Sequence, residues 1–271
     1  MRILGFDFTS RPTRRKPVTC ACCRLEGDIL AFEGIGTFDD LAGFEAALRR
    51  PGPWVAGFDF PFAHARRFVT AMEWPAVWPD YAAFLAGMTR AQYRAALEAY
   101  KAPRPPGDRE HRRAFEGGTG AASPQKLYGV PVALMLFEGV PRLLAAGLHL
   151  PGLCPGDRAR IGVEAYPGVA ARALLGARRP YKSDGPAGDD PARAAARRAI
   201  LVALGGEAGR ARFGLAIDAP ADLAEDPAGD ALDALLCAVQ AAWAFRRGHT
   251  RDGPPGADPL EGWIADPAVC P

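Results

Sequence analysis

The chain has 271 residues, 49% of them hydrophobic and 24% charged, the balance of an ordinary globular protein. That length suits one large domain, or one domain carrying an insertion, and can bury a core without disulfide or metal staples. The formal net charge is only +2, so a nucleic-acid-binding role would have to rest on local basic clusters.

The first third reads as β-β-β-α-β. Arg2–Thr9 is predicted as a short apolar strand and residues 10–17 as a basic, turn-rich connection. Val18–Leu25 and Asp28–Phe32 follow as strands, joined at Glu26-Gly27. Thr37 or Asp39 is placed to cap a helix running to Arg49, with Leu41, Phe44, Ala47 and Leu48 on one face. Pro51-Gly52-Pro53 ends that helix, and Trp54–Phe60 is apolar enough for a central parallel strand.

Residues 61–159 read as a long helical insertion. Helices are expected at Tyr81–Leu85 and Thr89–Tyr100, and one from Ser123-Pro124 to Ala146, kinked at Pro131 and Pro141. Strand patterning returns at Arg160–Tyr166, followed by helices at Val169–Leu175, Pro191–Leu204 and Gly229–Arg247. No secretory signal or membrane-length apolar run is read, so a cytoplasmic protein without membrane association is expected. The six cysteines show neither C-x-x-C nor zinc-finger spacing, and Cys20, Cys22 and Cys23, within a predicted strand, read as small buried hydrophobes.

One pattern occurs three times, each time at a predicted strand end: Gly5-Phe6-Asp7, Gly57-Phe58-Asp59 and Gly162-Val163-Glu164. Residues two apart share a strand face, so each glycine lies beside its acid, leaving room for a ligand or a close-packed helix. Parallel strands would gather the acids at their C-terminal ends, where open α/β sheets bind ligands. Clustered carboxylates repel one another and resist desolvation, and a divalent cation resolves both problems. Mg²⁺ suits such an oxygen-only site. A fourth acidic element, Asp230 and Asp233, starts a strongly apolar helix and shares one face of it.

Three meandering strands, a helix, a fourth strand and a late helix with an acidic start resemble the RNase H-like fold. More closely, the chain is similar to domain-of-unknown-function family 429, described as predicted RNase H-like nucleases. The matching stretches are Gly5-Phe6-Asp7, Phe58-Asp59-Phe60-Pro61-Phe62, Val163-Glu164-Ala165-Tyr166-Pro167, Tyr181-Lys182-Ser183, Asp230-Ala231-Leu232-Asp233-Ala234-Leu235 and Glu261-Gly262-Trp263-Ile264. The resemblance implies an α/β domain spanning residues 1–271, built on a five-stranded mixed sheet in the order 3-2-1-4-5. It also implies hydrolysis of a phosphodiester in nucleic acid, or in another phosphoester, by two Mg²⁺ or Mn²⁺ ions roughly 3.5–4 Å apart. Asp7 would bridge the ions, Asp59 would bind one, and Asp233 with Asp230 the other. Glu164 would add a ligand or orient a water.

Arg15, Arg66, Lys126 and Lys182 are the candidate phosphate contacts, because each follows or flanks an acidic strand end or opens the insertion. His64, five residues after Asp59, is noted as a further candidate. Two other readings stand beside the nuclease: a non-catalytic binding module, and a phosphotransferase related to the actin-like sugar kinases. The second lacks a glycine turn after Asp7, where Phe8-Thr9-Ser10 stands.

Overall fold

The computed structural model describes residues 1–183 and 188–270. Its strands are β1 (Arg2–Asp7), β2 (Val18–Glu26), β3 (Ile29–Phe38), β4 (Trp54–Phe58), β5 (Leu148–His149), β6 (Asp157–Glu164) and β7 (Ala216–Asp218). They form one sheet in the order β5-β6-β4-β1-β2-β3-β7. β1 pairs antiparallel with β2 and parallel with β4, and β4 pairs parallel with β6. The expected five strands in the order 3-2-1-4-5 are therefore corrected to seven. β5 and β7 each add a short edge strand, of two and three residues. Strands this short show no alternation for sequence reading to find.

The helices are α1 (Leu41–Leu48), α2 (Arg66–Ala71), α3 (Trp78–Ala86), α4 (Arg90–Lys101), α5 (Val132–Ala145), α6 (Pro167–Leu174), α7 (Pro191–Gly205), α8 (Glu207–Phe213), α9 (Asp230–Arg246) and α10 (His249–Asp252). Between β4 and β6 lie α2 to α5, of which α2 was not among the expected helices, and also β5, which joins the sheet. The helix expected from Ser123 begins only after Pro131. Ser123 instead donates to His111 O and accepts from Gln125 N, closing a turn. Helix α1 is capped by Asp40 rather than Thr37 or Asp39, because β3 continues to Phe38.

Alternation along the strands divides the core. Leu4, Phe6, Ala56 and Phe58 face the inserted helices, with Phe6 and Phe58 stacked at 5.0 Å. Ile3, Val55 and Val163 face α9 and α7. Helix α9 is apolar around nearly its whole circumference, as a helix buried on all sides must be. It crosses β1 and β4 at contact distance because two glycines allow it. A Cβ on Gly5 would lie 2.0 Å from Ala234 O, and one on Gly57 2.3 Å from Cys237 O. Of the two explanations the sequence allowed for these glycines, close helix packing holds at both. That packing brings the first turn of α9 to the ends of β1 and β4.

Candidate metal centre

Asp7 is the last residue of β1, and Asp59 follows β4 directly. The Asp59 amide donates to Phe6 O at 3.0 Å, extending the β1–β4 pairing to the acids themselves. Asp233 arrives from the first turn of α9. One carboxylate oxygen each of Asp7, Asp59 and Asp233 lie within 4.8 Å of one another, a group able to hold a metal ion. Asp230 sits one turn earlier, 7% exposed. Just before its helix, whose N-cap is Gly229, Asp226 accepts from the Ala228 and Asp230 amides at 3.0 Å.

Three of these aspartates share one ammonium group. Lys182 Nζ lies 2.5 Å from Asp233 Oδ2, 3.7 Å from Asp7 Oδ1 and 3.8 Å from Asp230 Oδ1. Lys16 Nζ reaches Asp230 Oδ1 at 2.8 Å, and the Tyr181 hydroxyl donates to Asp233 Oδ1 at 2.7 Å. Burial raises the Asp7 carboxyl well above the usual range, against the lowering effect of Lys182. Burial, with the nearby Asp233 charge, pushes Asp59 up to about 7. Asp233 is also raised by burial, with Lys182 opposing. For Lys182, burial favours the neutral amine, but Asp233 and Asp7 outweigh it and hold the group cationic.

Glu164 does not join this cluster. In register, Gly5 pairs with Gly57 and Gly57 with Val163, so Glu164 is level with Phe58 and points to the opposite face of the sheet. The third glycine-x-acid pattern is thus offset by one residue, and a one-residue offset reverses the face. Both Glu164 oxygens bind the Arg113 guanidinium, and Oε2 also accepts from Phe62 N at 2.8 Å. Gly162 likewise faces Leu150 and Phe58 rather than α9.

The basic candidates divide. Arg15 and Lys182 line a cavity of about 620 Å³ with Asp7 and Asp59. Lys126 and Lys182 line an adjoining cavity of about 250 Å³ with Asp59 and Asp233, whose rim Glu164 also reaches. Arg66 is absent from both. Its guanidinium grips Asp258 through Nε and Nη2, at 2.9 and 2.5 Å. His64 is fully buried between Tyr81 OH at 2.6 Å and Tyr93 OH at 2.9 Å, and burial pushes it down to about 3. It belongs to the aromatic core of the insertion.

Sequence reading missed three contributors. Tyr181 was legible only as the neighbour of Lys182. Asp226 was legible as an acid four residues before the first residue of α9. Arg113 gave no signal beyond Glu116 three residues on, since its other partners lie 51 and 148 residues away.

Fold and site together define a mixed α/β protein with an acidic, candidate metal-binding centre at the C-terminal ends of two central parallel strands. A family model described as "Protein of unknown function (DUF429)" matches residues 6–258. The chain belongs to that family. Comparison with curated proteins and with solved structures finds no match. Among the described residues, no helix is long and apolar enough to cross a membrane.

Proposed function

We propose that this protein is an RNase H-like, metal-dependent phosphodiester hydrolase acting on nucleic acid. The observation that carries the reading is the convergence of Asp7, Asp59 and Asp233 from β1, β4 and α9. The donor set fits Mg²⁺ or Mn²⁺, being all oxygen, mutually repelling and largely withdrawn from water. The Lys182 ammonium already marks where positive charge is favourable. Bound Mg²⁺ or Mn²⁺ supplies Lewis acidity to a phosphoryl oxygen and a more acidic water.

The chain's own residues prepare the site. Asp7, Asp59 and Asp233 would hold the metal, with Asp7 shared if two ions bind and Asp230 beside Asp233. Tyr181 fixes the Asp233 carboxylate by its hydrogen bond. Lys182 and Lys126 line the cavity above the acids and would orient a phosphate, while Arg15 would contact the backbone beyond. Glu164 is outside this ligand set, because Arg113 occupies it.

The test is calorimetric titration with MnCl₂ of the wild type and of Asp7→Asn. Binding in the wild type, its loss in the variant and manganese-dependent cleavage of oligonucleotides are the expected results. A wild type that binds no Mn²⁺ would overturn the reading. One observation favours a second reading, the non-catalytic binding module: Lys182, 2.5 Å from Asp233, already supplies a cation. That reading expects no stabilisation by Mn²⁺. Metal at 100 times its dissociation constant would otherwise add roughly 2.7 kcal/mol.

A further inference from the structure

A cavity of about 360 Å³ adjoins the aspartate site and has a different character. Arg172, Arg178, Arg179, Lys182 and Arg193 line it, and among the described residues no carboxylate does. Tyr166, Gly168, Tyr181 and Lys182 line both this cavity and the one over Asp59 and Asp233, so the two are neighbours across a shared wall.

Two of the cationic groups, Arg178 and Arg179, face the cavity without a carboxylate partner among the described residues, and both are exposed. Arg172 is held in place, since its Nη1 donates to Thr119 O at 3.3 Å. Gly120 makes room for it: at φ +79°, a Cβ there would lie 2.4 Å from that same nitrogen. Arg193 is partly neutralised by Asp190 at 3.7 Å and is the weakest member. A concave wall of guanidinium groups suits the oxygens of a phosphate, which arginine meets in bidentate geometry.

We infer that the Arg172–Arg178–Arg179 cavity is a phosphate subsite, holding a backbone phosphate of the same nucleic-acid strand whose neighbouring diester lies at the aspartates. The inference rests on the hydrolase reading above and adds that the substrate is a polymer rather than a small phosphoester. Distance supports it. Arg179 is two residues from Tyr181, so their Cα atoms lie no more than ~7 Å apart. One strand advances ~3.4 Å of helix axis per phosphate, so the subsite falls within a few nucleotides of the acids. Beyond the acids, Lys182 is also a wall of the cavity that holds Arg15 and Lys16. The path is therefore basic at the Arg172–Arg179 end and passes from there to the acids, with Arg15 on their far side among Asp7, Asp59 and Asp226.

The experiment is fluorescence anisotropy of a labelled single-stranded 12-mer, with calcium in place of magnesium, across a salt series. Wild type is compared with Arg178→Ala/Arg179→Ala, whose exposed side chains leave the fold intact. The variant is expected to bind more weakly for every sequence, with its salt slope lowered by about 0.7, the value for one lost single-strand phosphate. An unchanged slope, or no binding by the wild type, overturns the subsite. So does inorganic phosphate binding that depends on these arginines while oligonucleotide binding does not, which would make the cavity a free-anion site. A MnCl₂ titration of the same variant separates the two claims. Its metal binding is expected to match the wild type. Absence of Mn²⁺ binding in both proteins would count against the hydrolase alone.

Discussion

Two clusters of buried charge lie within the same domain, and they are assembled on different terms. Around Arg113 every partner is satisfied: the guanidinium binds Glu116 and Glu164 and donates to Glu261 O, and the Glu261 carboxylate accepts from the Arg66 and Ala114 amides. Around Lys182 the balance is negative: Asp7, Asp59, Asp230 and Asp233 face two ammonium groups, Lys182 and Lys16. A closed cluster ties segments together, here the insertion to the end of β6 and to the C-terminal segment. Both clusters carry surplus acid, and burial raises Glu164 as it does Asp7, Asp59 and Asp233. The second differs in that one oxygen from each of three carboxylates lies within 4.8 Å of the others instead of all being held on one guanidinium, the arrangement in which a site binds a cation. Acid counting alone does not separate the two. Counting acids against their bonded partners does.

Breaking the closed cluster should have the largest effect. Arg113→Met leaves Glu164 and Glu116 buried without a counter-charge, and loss of one partner from a buried pair costs roughly 3–5 kcal/mol. Chemical denaturation is expected to show a loss of stability of that size, and Glu164→Gln a smaller one. If Glu164→Gln instead abolished Mn²⁺ binding without destabilising the fold, Glu164 would belong to the metal centre after all.

Next in size is Asp7→Asn in the open cluster. It removes one of the three oxygen donors that lie within 4.8 Å of one another. The expected result is at least a hundredfold weaker Mn²⁺ binding by calorimetry, about 2.7 kcal/mol. Without metal, stability near neutral pH should rise rather than fall, because a carboxyl raised by burial is replaced by a side chain that cannot ionise. A variant that binds Mn²⁺ like the wild type would move the metal away from β1.

The contrast between the clusters also explains what is legible in the sequence. Asp7, Asp59 and Asp233 can be found because each stands at the end of a patterned element, where geometry follows from periodicity. The glycines beside Asp7 and Asp59 signal a close approach in the sequence itself, and α9 makes that approach. Glu164 carries the same local signature and yet faces the other way, because the register between β4 and β6 is a long-range property that no short pattern encodes. Arg66 is misjudged for a similar reason: its partner Asp258 lies 192 residues further on. The edge strands β5 and β7 have too few residues to alternate. Local pattern thus specifies the elements and most of the acids, and pairing across the sheet decides which acids meet.

The smallest predicted effect tests the electrostatics of the open cluster directly. Asp59 titrates at about 7 in the fold, against an ordinary value of 3.8. Because the folded value is raised, the favourable contribution of the neutral acid is complete below pH 3.8 and is lost as pH rises through 7. An asparagine at this position cannot ionise and keeps that contribution at every pH. Asp59→Asn should therefore match the wild type near pH 4 and exceed it above pH 7. The gain should be ~1–2 kcal/mol, less than the whole shift implies because Asp59 is partly exposed. Thermal melts at about pH 4.5 and 8 measure it, without divalent metal. Adding Mn²⁺ near pH 8 should then raise the wild type and leave the variant behind. A variant less stable than the wild type at that pH without metal would mean that Lys182 and Lys16 already neutralise the cluster, and the site would then have no need of a metal.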